Sequence, residues 1–241
     1  MGVTIHFKLR APPGTDKARA KEIVIQLRRR ALRYRTAGRV DAVLPLGKDD
    51  RALRWGCEMR SWPIPGLPTW SGEVELEPLE GFVLFVRPGK DCETLALGLC
   101  RFPLAVFANG RPRRTGLTGW RWEGFCKTQF ASLHGWEHFR RCHLAVLGLL
   151  DAARRLGCRV TVSDEGEYWP GRNEAALRRN VGEMNCAIAA AAGAMKDFDK
   201  ASGAEGVQSP IFAHPQFEHL EAEGAARGHA SALRKVLSRR G

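Results

Sequence analysis

Three carboxylates, Asp164, Glu165 and Glu167, fall within four residues of one another and are followed by Tyr168, Trp169 and Arg172. Carboxylates this close perturb one another's protonation. They can divide acid and base roles or hold a hard divalent cation such as Mg2+. The strand pattern Arg159 to Ser163 puts Val160 and Val162 on one face. Asp164 continues that face, and Glu165 points the other way. A second group, Lys127 and Gln129, interrupts the otherwise apolar run Trp120 to Phe130, which reads as a strand with both side chains on the face of Phe125. If that face looks into a cleft, Lys127 pairs with Asp164 or holds an anion, and Gln129 orients a polar substrate. Tyr168 and Trp169 then form an apolar wall, with Arg172 beside them. The plainer readings are a solvated sheet face for Lys127 and Gln129, and an acidic turn closed on Arg172 for residues 164–172.

The histidines point elsewhere. His134 and His138 are four apart, but Gly135 places the first ahead of a helix, and His-Glu-x-x-His does not occur. His143 shares a helix face with Phe139 and Val146, which favours a core histidine with a satisfied hydrogen bond over a metal ligand. His214 and His219 are weak candidates. Seven cysteines, an odd number with no Cys-x-x-Cys pair, argue for buried free thiols. There is no nucleophile elbow, phosphate-cradling glycine loop or dinucleotide fingerprint.

The formal net charge of +12 suggests polyanions as partners. For nucleic acid the carriers would be the basic first helix, with Arg28 and Arg35, and the Arg111, Arg113 and Arg114 loop. Trp120 and Trp122 would then be a stacking platform. Because 29 of the 38 basic residues are arginine, a compositional bias explains part of this excess. Those 38 residues therefore do not by themselves identify a ligand.

The elements that must position these groups follow from periodicity. Val3 to Leu9 alternates as a half-buried strand. Thr15 or Asp16 caps a helix whose inward face is Ala20, Ile23, Val24, Leu27, Ala31 and Tyr34, and Gly38 ends it. Val40 to Leu46 reads as a strand, completing a β-α-β unit. Val74 to Leu79 and Phe82 to Val86 suggest a hairpin about Glu80-Gly81, with further short strands at Thr94 to Cys100 and Leu104 to Ala108. Asn109-Gly110 is a tight-turn signal, and Trp62 to Trp70 reads as a long loop. Trp120 to Phe130, a buried helix Trp136 to Leu156 and Arg159 to Ser163 form a second β-α-β unit. Asn173 caps a long C-terminal helix with a heptad seam, Leu177, Val181, Met184, Ile188, Ala191, Met195 and Phe198. A final basic helix is expected over 225–240.

The expected fold is thus α+β, with two β-α-β units around a mixed sheet, compatible with a duplicated ferredoxin-like layout. Its segments are 1–115, 116–200 and 201–241, which can also form one compact domain. No apolar run approaches the ~20 residues of a membrane span, and Met1 to Arg10 lacks a signal-peptide core. A cytoplasmic location is expected, as a monomer or weak dimer.

Gly116-Leu117-Thr118-Gly119-Trp120-Arg121-Trp122, Lys127-Thr128-Gln129-Phe130-Ala131-Ser132, Arg141-Cys142-His143-Leu144 and Ser163-Asp164-Glu165-Gly166-Glu167-Tyr168-Trp169 together resemble an uncharacterised bacterial protein family. That resemblance implies no activity, cofactor or fold. From the residues alone, the leading expectation is a small enzyme or ligand-binding protein for an anionic or polar small molecule, with a Lys/carboxylate cleft. The competing expectations are a nucleic-acid-binding protein and an interaction protein using the 177–198 seam.

Overall fold

The computed structural model describes residues 3–44, 61–63, 73–108, 110–202, 206 and 208–229. The first strand, β1 (Thr4–Arg10), buries Ile5, Phe7 and Leu9 and exposes the residues between them. The prolines after it end the ladder. Asp16 caps α1 (Lys17–Thr36) by accepting the Arg19 N–H at 2.7 Å. After β2 (Ala42–Val43) come β3 (Ser61–Pro63) and β4 (Glu73–Glu75), a separate two-stranded ladder. β5 (Glu80–Arg87) and β6 (Leu95–Arg101) form a long hairpin, and β7 (Ala105–Ala108) and β8 (Arg111–Arg114) a short one. β9 (Arg121–Lys127), α2 (Trp136–Arg155) and β10 (Arg159–Asp164) follow. The chain ends in α3 (Glu174–Ser202) and α4 (Phe217–Ala226).

The main sheet has six strands in the order β10-β1-β9-β6-β5-β2. Each neighbouring pair is antiparallel, so the expected mixed sheet is corrected. The reason lies in strand insertion. β9 and β10, joined through α2, run the same way, but β1 lies between them and pairs with both. β1 and β2, joined through α1, also run the same way and are separated by β9, β6 and β5. A boundary at 115/116 would cut this sheet, because β1 is bonded on both sides to strands from beyond it.

α1 and α2 share one core with the strands. Ile23, Val24 and Leu27 of α1 and Leu147, Leu149 and Leu150 of α2 join Ile5, Leu9, Leu97, Leu99 and Trp122. Gly148 is required there, because a Cβ would overlap the Tyr34 hydroxyl. No helix of the described residues is long and apolar enough to cross a membrane.

Several boundaries differ from the sequence reading. Glu80-Gly81 lies inside β5, and the hairpin turns at 88–94 instead. A Cβ at Gly81 would overlap Cys100 on the paired strand, so this glycine serves close strand approach. Trp120 and Trp122 are buried, Trp120 stacked on Phe82 and the Trp122 indole donating to the Ala96 carbonyl at 2.9 Å, which removes them as a stacking platform. The long loop at 62–70 and the strand end at 45–46 fall mostly outside the described residues. So does most of the expected helix over 225–240.

α3 begins at its expected cap, with the Ala176 N–H on Asn173 Oδ1 at 3.0 Å. Of its heptad seam, Leu177 and Val181 are buried, Met184, Ile188, Ala191 and Phe198 are half-buried, and the small residues of another face carry the rest of the packing. Leu177 and Val181 pack against Phe139 and Ala131. Cys186, Ala189 and Ala192 pack against Ile211 and Leu220, where α4 lies along the small-residue stretch. Met195 remains 39% exposed.

Two helical glycines have opposite surroundings. A Cβ at Gly224 of α4 would overlap the Cys186 carbonyl of α3, whereas a Cβ at Gly182 of α3 would meet nothing within 4 Å. Gly182→Ala is expected to stabilise by up to about 1 kcal/mol through helix propensity. Gly224→Ala is expected to destabilise by about 1–3 kcal/mol by forcing the helices apart. Urea unfolding midpoints moving in opposite directions would check this pair; a rise for both would show that α4 does not lie this close to α3.

Candidate functional site

The first polar centre is built where three chain segments meet. Val160, Val162 and Asp164 share the core face of β10, so Asp164 is carried inward. Beyond it the chain turns back, and the carboxylate accepts N–H bonds from Gly166 at 2.8 Å and from Tyr168 and Trp169 at 3.0 Å. His143, on the face of α2 that looks at the sheet, places Nε2 3.2 Å from Asp164 Oδ1. Its Nδ1 is 2.9 Å from Thr128 Oγ1. Thr128 has left the strand conformation, with φ −111° and ψ −5°, and its N–H donates to the Val3 carbonyl at 3.1 Å. With Asp164 ionised, the set is satisfied when Nε2–H donates to the carboxylate and Nδ1 accepts the Thr128 hydroxyl.

Aspartate, histidine and hydroxyl in this order resemble the relay of a nucleophilic triad. The side chains of His143 and Asp164 have no exposed surface, however, and Thr128 is equally buried. No substrate carbonyl reaches the hydroxyl. The chain instead ties the end of β9, the middle of α2 and the turn after β10 together. Burial by itself would raise the Asp164 pKa. The hydrogen bond from His143, with the Trp169 and Gly166 N–H groups, outweighs burial and holds it below its ordinary value.

The expected Lys/carboxylate cleft is not assembled. Lys127 pairs across from Thr4, one residue out of phase with Asp164, which pairs across from Ile5, so the two side chains leave opposite faces of the sheet. Lys127 lies 3.9 Å from Glu93. Glu165 accepts the Thr4 N–H at 2.9 Å and faces His6 at 3.8 Å. Arg172 pairs with Asp151 and lies over Trp169 at 4.4 Å and Tyr168 at 5.6 Å, so the two aromatic rings are covered by cations rather than forming a free wall. Among the described residues, no group of three or more His, Cys, Asp or Glu side chains is placed to hold a metal ion.

Gln129 differs most from its expected position. It does not share a strand face with Lys127, because β9 ends at Lys127 and residues 129–134 form a 3-10 helix. The fully buried amide accepts the Val3 N–H at 2.8 Å and donates to Asn185 of α3. Asn185 in turn donates to Ser132 Oγ at 3.1 Å.

This amide relay forms part of the base of a pocket of about 370 Å³, which sequence reasoning did not find. Its apolar lining includes Trp136, Phe139 and Val181, and its polar groups include Ser132, Asn185, His214 and Arg178. Gly182 leaves the α3 wall low. Burial keeps His214 below its ordinary pKa and therefore neutral at pH 7. Arg178 lies 5.4 Å from the centre of the Trp136 ring and has no carboxylate partner among the described residues. The one sequence signal was the mid-helix pair Gly182 and Asn185, both poor helix formers.

The basic residues separate into distinct places. Arg111, Arg113 and Arg114 lie on β8 of the short hairpin. Arg28 and Arg35 of α1 lie on one flank of its buried face. Arg29, Arg30 and Arg33 lie on the other, facing Arg155 of α2 across a second cleft.

Asp164→Asn is expected to destabilise the protein by about 3 kcal/mol, since it removes one partner of a buried charged hydrogen-bond set. Because the folded-state pKa is depressed, the Asp164 contribution is complete above its unfolded value of about 3.9. It disappears as pH falls through the folded-state value. Thermal melts from pH 7 down to pH 3 should show the difference between the two proteins shrinking at the acid end. An unchanged midpoint at pH 7 would show that Asp164 does not hold these segments together.

No family model, curated protein or solved structure matches the chain.

Proposed function

We propose that this protein binds a small organic anion with an apolar body, seated in the pocket between the 129–134 helix, the start of α2, α3 and residues 214–216. The observation that carries the reading is the combination of Arg178, over Trp136 and without a carboxylate partner among the described residues, with the amide relay that reaches the same pocket at Asn185 and Ser132. Its volume of about 370 Å³ falls within the range of small-molecule sites, about 300–1,000 Å³.

The roles follow from the side-chain types. Arg178 supplies the countercharge, its fork suited to a carboxylate. Trp136, Phe139 and Val181 take the apolar body. Asn185 and Ser132, held by Gln129, offer oriented polar atoms whose positions are fixed before a ligand arrives, which lowers the entropic cost of binding. Gln129 therefore keeps a place in the reading as a positioning residue behind the pocket, in place of its expected substrate contact.

The proposal extends to the scaffold. We read β1-α1-β2 and β9-α2-β10 as the two arms of a duplicated ferredoxin-like layout into which the β5–β6 hairpin is inserted. What supports this is the position of β1 between β9 and β10.

A panel of small aromatic and branched aliphatic carboxylates, screened by thermal shift and followed by calorimetry, tests the ligand. Gly182→Leu is expected to fill the pocket and abolish binding without lowering the melting temperature. Arg178→Gln is expected to weaken carboxylate binding at least tenfold. Carboxylates that bind both variants as tightly as the parent protein would place the site elsewhere.

A further inference from the structure

The cleft between α1 and α2 is separate from the carboxylate pocket. Gln26, Arg29, Arg30 and Arg33 recur at helical spacing along one stripe of α1, and Ala152, Arg155 and Leu156 from the last turn of α2 complete the lining. The cleft is open, with a volume of about 340 Å³. Four arginines thus line one space together with Ala152 and Leu156, and the Arg30 guanidinium is the one anchored by its neighbours.

Their countercharges are few. Glu22 lies 3.8 Å from Arg29 and also accepts from Gln26 at 2.9 Å. Arg33 and Arg155 have no ion-pair partner among the described residues. Arg30 is held in place by the ring of Tyr34, 4.8 Å from its centroid, with Nη2 3.4 Å from the Tyr34 hydroxyl. Its buried Nε has no hydrogen-bond partner. Tyr34 is itself fixed against Gly148 of α2.

A solvated basic face accounts for Arg29, Arg33 and Arg155 taken singly, since each is exposed. Arg155 alone would also suit the negative end of α2. Neither explains why three arginines of α1 face that same helix end, where the like charges repel one another and one guanidinium is stacked and only partly hydrogen-bonded. An anion of several charges resolves both conditions, because guanidinium forks match phosphate oxygens in pairs. The cleft is too small for a nucleic-acid duplex and of the right order for two or three linked phosphates.

We infer that the α1–α2 cleft binds the linked phosphates of a small polyphosphate, either free or as the phosphate chain of a nucleotide, through Arg29, Arg30, Arg33 and Arg155. The site is independent of the carboxylate pocket. Arg28 and Arg35, on the other flank of α1, take no part in it.

Sodium tripolyphosphate, titrated calorimetrically into the full chain at about 0.15 M salt, where the screening length is about 8 Å, is the direct test. Saturable binding at one site is expected. The exposed pair Arg33→Gln with Arg155→Gln should weaken it at least tenfold while leaving the ligand-free melting temperature unchanged. Arg28→Gln with Arg35→Gln should leave affinity intact, and so should Gly182→Leu, which separates this site from the carboxylate pocket. A nucleoside triphosphate run in parallel tells the two sources apart: tighter binding than tripolyphosphate identifies a nucleotide, and equal or weaker binding identifies the free polyphosphate. The inference is overturned if tripolyphosphate does not saturate, or if the Arg33/Arg155 pair leaves its affinity unchanged. A single-stranded oligonucleotide that binds in place of tripolyphosphate, and is lost in that same pair, would likewise overturn it in favour of a nucleic-acid track.

Discussion

The hydrogen-bonded chain Asp164–His143–Thr128 is the constraint around which the described parts are arranged. A charged carboxylate is buried only where donors surround it. Here three backbone N–H groups and one imidazole do so, drawn from the turn after β10 and from α2. The cost of leaving any of them unpaired fixes the height of α2 over the sheet. It also fixes the point at which the chain leaves β9, because Thr128 must abandon the strand to reach His143. Once it does, Gln129 is carried into the interior and meets the Val3 N–H and Asn185. The N-terminal strand, the 129–134 helix and α3 are thereby bound into the same polar interior.

The pocket follows from this arrangement. Its base is the outer end of the Gln129–Asn185–Ser132 relay, and Phe139, whose ring is 5.5 Å from that of His143, links its wall to the buried carboxylate. A rigid polar interior thus supports a more open exterior, the usual division between a positioning layer and a contact layer. α4 completes the scaffold by packing Gly224 against the α3 backbone at Cys186, which holds the middle of that helix. The arginine cleft is organised differently. It depends on the spacing of α1 and α2, which the aliphatic core between them sets.

The local elements were legible in the amino-acid sequence because their signals are local. Alternation defined β1 and β10, the inward face of α1 was readable as Ala20, Ile23, Val24, Leu27, Ala31 and Tyr34, Asn173 marked its helix start, and the α1 cap was narrowed to Thr15 or Asp16, of which the structure uses Asp16. The inward direction of Asp164 was also legible, since it continues the phase of Val160 and Val162. So was the core position of His143, from its phase with Phe139 and Val146. That these two meet was not, because periodicity places each on an inward face without saying which faces oppose one another.

Tertiary structure alone decided the rest. Periodicity specifies which face of a strand is buried but not which strand lies beside it, so the insertion of β1 between β9 and β10, and with it the antiparallel sheet, is a property of chain closure over more than a hundred residues. The same holds for the sites. Lys127 and Asp164 have complementary charges, yet a one-residue difference in register across β1 sends them to opposite faces. The pocket beside Trp136 draws residues from 132–139, 178–185 and 214–216, and the arginine cleft joins residues 26–33 to 152–156. In each case the residue types were visible in the sequence, while their convergence depended on long-range packing that no local pattern encodes.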